Sequence, residues 1–344
     1  MPMKKPTRKI RGQRSNRLKP YIAGTGRFLP ERVMTNHDLE KMVDTSDEWI
    51  IERTGIKERR IAEKDVCASD LAVPAAKNAI KEAGLKAKDI DLIIVGTSTP
   101  DMLFPSTACF VQAKINATNA VAFDLLAACS GFTFSLATAV QYLKTGLFKN
   151  ALVIGTEIYS SIVDWEDRTT CVLFGDGAGA VVLKNDGKGG KSGILSTHIY
   201  SDGSKSDFLS AVGGGSARRF TPELISEKKY CLTMNGQGTF KVAVKSMINA
   251  AKASLEEAGM DVSDIDLVIP HQANTRIIAQ VAKQLGIDES KCFVNIQKYG
   301  NTAAASIPIA LNEAIEEGKA KKGDLILFVT FGGGFTWGAI LLRL

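Results

Sequence analysis

Three residues combine a reactive or hydrogen-bonding side chain with a setting that could put it to work. Cys129 lies in the run Phe123-Asp-Leu-Leu-Ala-Ala-Cys129-Ser-Gly131, where an apolar strand over 121–124 passes into a helix that continues to about Lys144. Small neighbours permit a sharp turn, and the partial positive charge at a helix N-terminus favours thiolate over thiol. A thiolate so placed is a nucleophile for acyl groups. The bland alternative is a small buried hydrophobe, as most free cysteines are. His271 closes the apolar run 267–270 and opens the polar loop Gln272-Ala273-Asn274. It suits a catalytic group at a strand exit, or else a cap on the following helix. Asn301, in Lys298-Tyr-Gly-Asn301-Thr-Ala-Ala-Ala-Ser306, can offer an amide donor, although Gly-Asn before a helix is also ordinary N-cap chemistry. Cys67, Cys109, Cys171, Cys231 and Cys292 have no comparable context and no CxxC spacing, so they read as packing residues rather than a zinc site. His37 reads as a near-surface cap and His198 as part of an alternating strand.

An internal duplication would position these residues. Residues 81–95 align without gaps on 256–270 at an offset of 175, with eight of the fifteen positions identical. Each copy reads as a helix end, a glycine stop, an Asp-rich turn and a buried strand. Further on, helices ending near Gly146 and Gly318 lead into apolar strands over 151–155 and 325–330. Such alternation calls, in each half, for a parallel-containing sheet covered by helices. The same offset carries Cys129 to position 304, beside Asn301, so the two strand-to-helix turns are pseudo-symmetry mates. Loops from both halves would then meet where the strand ends open. The boundary is expected within 186–191, giving lobes over 21–190 and 191–344 behind a basic tail over 1–20. The run Gly175-Asp-Gly177-Ala-Gly179-Ala180 matches a dinucleotide fingerprint only formally. A strand pattern, Val181-Val-Leu183, follows it where a fingerprint would open a helix. The cluster Gly332-Gly333-Gly334 follows a buried strand and can present backbone N–H groups to a ligand.

Composition removes other function classes. With 45% hydrophobic and 23% charged residues in 344, the chain is that of an ordinary globular protein, which excludes disorder and fibrous repeats. Its pI of 8.9 belongs to the tail. Residues 1–20 hold eight of the 43 Lys and Arg, leaving 35 basic against 37 acidic residues and no case for nucleic acid. No apolar run follows the tail, so it reads as a solvated extension rather than a secretory signal, dispensable for any chemistry. The uncharged stretches 125–143 and 325–342 carry hydroxyls, an amide or a triple glycine, which makes them core elements and not membrane spans. Scattered, unpaired cysteines suit a reducing cytoplasm.

With these residues assembled, the sequence resembles β-ketoacyl-acyl-carrier-protein synthase III, of the thiolase-like condensing enzymes, over about residues 20–344. The resemblance is carried by Thr45-Ser-Asp-Glu-Trp49-Ile-Ile-Glu-Arg53-Thr-Gly-Ile, Ala127-Ala-Cys129-Ser-Gly-Phe, Phe174-Gly-Asp-Gly-Ala-Gly, Pro270-His271-Gln-Ala-Asn-Thr-Arg276, Gly300-Asn301-Thr302 and Phe331-Gly-Gly-Gly-Phe-Thr-Trp-Gly. It implies a thiolase-like α/β fold: two pseudo-symmetric duplicated lobes whose mixed sheets sandwich buried helices. The catalytic Cys, His and Asn of that family fall on Cys129, His271 and Asn301, with backbone N–H groups of Cys129 and Gly333 as an oxyanion hole. Trp49 and Arg168 match positions that sandwich the adenine of coenzyme A, with Arg53 nearby. Lys241, Arg276 and Lys283 match basic positions that meet an acidic carrier protein. Arg276 and Lys283, seven apart, share a helix face. Gln284, where a basic residue is common, departs from the pattern and weakens the patch. Phe104 matches a position that crosses a homodimer interface to close the partner's acyl pocket, with Phe240 as a further wall.

The activity implied is decarboxylating condensation of a short acyl-CoA with malonyl carrier protein, initiating fatty acid synthesis. The thioesters are substrates, and no cofactor, metal, nucleic acid or membrane is called for. One alternative is a synthase or acyltransferase of specialised metabolism built on the same three residues. A non-catalytic carrier-protein binder is another, against which the intact Cys-His-Asn set argues.

Overall fold

Apolar runs that follow glycine stops become buried strands, because each is long enough for one strand and flanked by helices that cover both of its faces. The computed structural model describes residues 19–187 and 191–344, so residues 1–18 of the basic tail and part of the expected boundary segment lie outside the described residues. The main elements of the first lobe are β1 (Tyr21–Phe28), α1 (Asp47–Thr54), α2 (Ala68–Glu82), β2 (Leu92–Gly96), α3 (Thr107–Ile115), β3 (Val121–Leu125), α4 (Gly131–Lys144), β4 (Asn150–Glu157) and β5 (Gly177–Lys184). Those of the second are β6 (Gly193–Ser201), α5 (Gly236–Ala258), β7 (Leu267–Pro270), α6 (Thr275–Leu285), α7 (Ser306–Glu316), β8 (Leu325–Gly332) and β9 (Thr336–Arg343).

The first sheet has the order β1-β5-β4-β2-β3, with β2 parallel to β3 and β4, and β5 antiparallel to β4 and β1. The second has the order β7-β8-β9-β6, with β7 parallel to β8 and the other pairs antiparallel. A parallel bridge between Val268 and Cys292 occupies the place that β3 holds in the first sheet. The two orders therefore coincide. The offset of 175 reappears in the coordinates: β4 at 150–157 answers to β8 at 325–332, and the helical turn 128–130 to that at 303–305. The tract from Gly177 is strand β5, as its residue pattern requires.

Five layers result. Helices α4 and α7 fill the space between the sheets, where Phe132, Leu136 and Val140 meet Ile307 and Leu311, with Ile94, Val153, Ile269 and Phe328 from the strands. Helices apolar on all sides belong in such a central layer. Outside the first sheet, Leu71, Ile80 and Val111 of α2 and α3 cover Ile93 and Leu152. Outside the second, Val244, Met247 and Val281 of α5 and α6 cover Val268 and Leu327. No helix among the described residues is long and apolar enough to cross a membrane.

Candidate active site

The chain leaves β3 through a tight turn before entering α4. Ala128 takes a left-handed backbone, φ +47°, and its mate Ala303 does the same at +46°. A non-glycine residue there carries strain of order 1–3 kcal/mol, held by the surrounding contacts. Cys129 occupies the middle of the short helical turn 128–130. The hairpin between β8 and β9 straps that turn from 200 residues away. Thr336 Oγ1 donates to the Ala127 carbonyl at 2.8 Å, and Ser130 Oγ to the Thr336 carbonyl at 3.0 Å. Gly332 makes this approach feasible: a Cβ on it would lie 2.8 Å from the Cys129 nitrogen and 2.9 Å from that of Ser130. Gly333, the next residue, faces Ala128 and the Leu209 carbonyl.

His271 continues the line of β7, its N–H donating to the Val329 carbonyl at 2.8 Å. It does not cap the following helix. Asn274 does, accepting from the Arg276 N–H at 2.8 Å, so the imidazole is left for other work. Its Nδ1 lies 2.7 Å from Ser306 Oγ, the first residue of α7. Asn301 is pinned through its backbone, donating to the Leu173 carbonyl and accepting from the Gly175 N–H. Its Oδ1 accepts from the Ala303 N–H at 2.9 Å, so the side chain does cap the turn, and its Nδ2 is the donating end. The two readings of Asn301 are compatible.

Burial shapes the electrostatics. Desolvation pushes the Cys129 thiol up to about 12, with buried Glu157 adding to the effect. Burial and the helix N-terminus therefore act on this thiol in opposite directions. The same desolvation pulls His271 down to about 3, which leaves the imidazole neutral at physiological pH.

A cavity of about 220 Å³ connects these groups, with Cys129, His271, Asn301, Trp49, Arg53, Arg168 and Phe240 all in its wall. Ser46 caps α1 by accepting from the Trp49 N–H at 3.1 Å. Asn274 Nδ2 donates to the Arg53 carbonyl at 2.9 Å, fixing the end of α1 against the His271 loop. The Arg168 and Arg53 guanidinium carbons stand 5.3 and 5.6 Å from the Trp49 ring centroid. A base between Trp49 and Arg168 needs two stacking gaps, roughly 7 Å in all. The sandwich is therefore closed in this structure, with Arg168 Nη1 held by the Asp44 carbonyl at 2.7 Å.

Two family models match the chain: 3-oxoacyl-[acyl-carrier-protein (ACP)] synthase III over residues 123–203, and the 3-oxoacyl-[acyl-carrier-protein (ACP)] synthase III C terminal over 255–344. The β-ketoacyl-[acyl-carrier-protein] synthase III of Aquifex aeolicus is 55% identical over 322 residues, 94% of this chain and 98% of the relative. That of Caldanaerobacter subterraneus subsp. tengcongensis is 52% identical over 322 residues, 94% of this chain and 97% of the relative. The crystal structure of the Aquifex aeolicus VF5 3-oxoacyl-[acyl-carrier-protein] synthase III superposes with a TM-score of 0.88 at 54% identity, covering 94% of this chain and all of that one. The chain belongs to the β-ketoacyl-acyl-carrier-protein synthase III family. It is a condensing acyltransferase with the thiolase-like fold.

The remaining candidate side chains, Lys241, Arg276, Lys283 and Phe104, lie outside the cavity wall. Lys241, Arg276 and Lys283 are all exposed, Lys241 beside wall residue Phe240 and Arg276 beside wall residue Ile277. Phe104 is 83% exposed and absent from the wall of its own chain's cavity. Two contributors escaped the sequence reading, Ser306 at His271 and Glu157 behind Cys129, while Gly332, read there as part of a backbone-donor cluster, acts by leaving room for the Cys129 turn. Ser306 lay inside a quoted motif, but nothing in the linear pattern couples it to a histidine 35 residues earlier. Among the described residues, no group of His, Cys, Asp and Glu could hold a metal ion.

Proposed function

We propose that Cys129, His271 and Asn301 carry out the condensation of a short acyl-CoA with malonyl carrier protein in this chain. The observation that supports this most is their convergence, from both halves of the duplication, on one cavity that also holds Trp49 and Arg168. Cys129 attacks the acyl-CoA thioester and keeps the acyl group as a thioester of its own, which splits a hard condensation into two easier steps. Backbone N–H groups of Cys129 and Gly333 stabilise the oxyanion. Malonyl carrier protein then loses CO2, and negative charge develops on its thioester oxygen. Two neutral donors suit that oxygen. With the Ser306 hydroxyl donating to Nδ1, His271 offers its Nε2–H, and Asn301 offers Nδ2. The enolate attacks the acyl-Cys129 and leaves as a β-ketoacyl carrier protein.

Trp49, Arg53 and Arg168 hold the coenzyme A nucleotide after Arg168 swings off the ring. Lys241, Arg276 and Lys283 receive the acidic carrier, and their surface charge acts on encounter more than on chemistry. The exposed Phe104 and the outer edge of β3 support a homodimer, in which Phe104 limits the partner's acyl pocket. The enzyme works in the cytoplasm, without cofactor or metal. The test separates the half-reactions. Cys129→Ala should carry no acyl group, whereas Asn301→Ala should still be acylated but release CO2 from malonyl carrier protein roughly two to three orders of magnitude more slowly. Intact-mass spectrometry reads the first step and labelled CO2 the second. Normal condensation by Asn301→Ala would return that residue to capping alone.

A further inference from the structure

Two donors can serve one oxygen only if their spacing is fixed, and His271 and Asn301 come from segments 30 residues apart. A buried polar network joins those segments. Strand β7 runs beside the segment that approaches Asn301, with the Phe293 N–H donating to the Val268 carbonyl at 2.9 Å. The strand ends at Pro270, and the Gln272 side chain carries the pairing one rung further. Its Nε2 donates to the Phe293 carbonyl at 3.1 Å and to the Pro270 carbonyl at 2.8 Å, and its Oε1 accepts from the Asn295 N–H at 3.0 Å. Two carbonyls at Nε2 and an N–H at Oε1 leave the amide one orientation. Donating to residue 293 and accepting from residue 295 is what a peptide group does in a parallel ladder. A side-chain amide thus stands in for backbone immediately after His271. The same segment is held by Glu313 of α7. Its Oε2 accepts from Asn295 Nδ2 at 2.7 Å, and its Oε1 from Lys298 Nζ at 2.9 Å and Tyr299 Oη at 3.0 Å. Those donors span the short helix Ile296–Tyr299, which delivers the chain to Gly300 and Asn301. Gln272, Asn295 and Glu313 are all buried. Ser306, which meets His271 Nδ1, and Glu313 are seven residues apart on α7 and so share a face. One helix therefore holds the His271 ring at its start and the approach to Asn301 near its end.

A buried carboxylate is costly unless it is paired and hydrogen-bonded, and Glu313 is both. A satisfied network of this kind rigidifies what it touches. The backbone bonds of Asn301 to Leu173 and Gly175 tie its turn to the first lobe, while the network ties the same turn to His271. We propose that Gln272, Asn295 and Glu313 are positioning residues for the CO2-releasing step. They fix the distance between His271 Nε2 and Asn301 Nδ2, so that both donors reach the enolate oxygen together. None of the three is in the cavity wall, so they act through the two donors and not on the substrate. Cys129 is held separately, by the bond from Thr336 to Ala127, which leaves acyl transfer independent of the network.

This inference rests on His271 and Asn301 being the donors, so Asn301→Ala is measured beside the new variants. Acyl-Cys129 formation from acetyl-CoA is followed in a single turnover by quenched intact-mass spectrometry. Labelled CO2 gives kcat and KM for malonyl carrier protein. The variants are Gln272→Ala, Glu313→Gln, Asn295→Asp and the double variant Asn295→Asp/Glu313→Gln. With its oxygen serving Lys298 and Tyr299, Glu313→Gln sets amide donor against amide donor, and Asn295→Asp sets carboxylate against carboxylate. The double variant restores the hydrogen bond with donor and acceptor exchanged. In each single variant kcat for CO2 release should fall roughly tenfold to a hundredfold. KM and acyl-Cys129 formation should stay within about twofold, because the lost contact matters at the later transition state. The double variant should recover most of the loss. Glu313→Gln added to Asn301→Ala should cost little beyond Asn301→Ala alone, since it acts through that residue. Gln272→Ala strands a buried N–H and a carbonyl, and where it does not fold the exchange at 295 and 313 decides alone. Single variants that release CO2 at the wild-type rate would overturn the network. Equal losses in the two half-reactions would overturn it as well, since they mark a role in packing. An Asn301→Ala protein that releases CO2 normally would remove the parent reading, whatever the network variants do.

Discussion

Cys129 and His271 show one physical cause acting with opposite signs. Burial disfavours the charged form of each, so the thiol rises to about 12 and the imidazole falls to about 3. The consequence for His271 is useful. Above pH 3 or so the imidazole is neutral, and the donor role proposed for Nε2–H requires the tautomer in which the Ser306 hydroxyl, 2.7 Å away, donates to Nδ1. CO2 release from malonyl carrier protein should therefore be flat from about pH 5 to 8, with no inflection at the ordinary histidine value near 6.5. A rate that falls as pH drops through that value would show a protonating imidazole and sink the neutral-donor assignment. Ser306→Ala removes the tautomer's anchor but not the ring. It should slow CO2 release by up to roughly tenfold, the worth of one modest hydrogen bond, while acyl-Cys129 still forms at the wild-type rate.

The elements that place these residues were legible in the sequence to the extent that they are local or repeated. The offset of 175 located both strand-to-helix turns because the duplication is written in the chain itself, and the strands β7 and β8 followed from their apolar runs. Cys129 and His271 were each reachable from a strand exit, and Asn301 from its place beside the duplicate of the Cys129 turn, although a short helix, Ile296–Tyr299, leads into it where a strand was expected. What the sequence left hidden is contact across the duplication and depth of burial. The strap from Thr336 to Ala127 joins residues 209 apart, and although each end lies in a quoted motif, nothing in the linear pattern pairs the two. The protonation of Cys129 depends on how thoroughly water is excluded and on Glu157, which no local pattern links to it. Arg168 stacked over Trp49 is likewise a matter of how two loops meet. The strap yields a test at this scale. Gly332→Ala puts a methyl group 2.8 Å from the Cys129 nitrogen, where backbone must yield. Overpacking of this kind costs about 1–3 kcal/mol, so Tm should fall by a few degrees. Displacement of the turn should cut acyl-Cys129 formation by more than roughly tenfold. A variant with wild-type acylation would show that the hairpin's approach is not what sets the thiol.

For the whole molecule, the two coincident sheets leave a question at the free edge of the first. Strand β3 is the outermost of its sheet, and Val121 at its start and Leu126 just beyond its end are exposed. An edge with unpaired backbone and apolar side chains is a template for pairing. On the loop between β2 and α3, Leu103 and Phe104 are 82% and 83% exposed, far more than large apolar side chains usually are unless another surface covers them. Both features are accounted for if a second copy pairs along this edge and receives Phe104 at the end of its acyl cavity. Primer length is then set by a residue from the neighbouring chain. Phe104→Ala should leave acetyl transfer nearly unchanged and shift preference toward longer acyl-CoAs. Each additional methylene that finds room gains about 0.8 kcal/mol, close to fourfold in kcat/KM. A panel of acyl-CoAs of increasing length, with products read by mass spectrometry and the oligomeric state by sedimentation, checks this directly. The wild type should sediment as a dimer and decline steeply beyond short chains, while the variant should remain dimeric and decline at greater length. If the wild type already favours chains of ten carbons or so, or if Phe104→Ala leaves the profile unmoved, the limit lies elsewhere, and Phe240 in the wall of the chain's own cavity becomes the residue to vary.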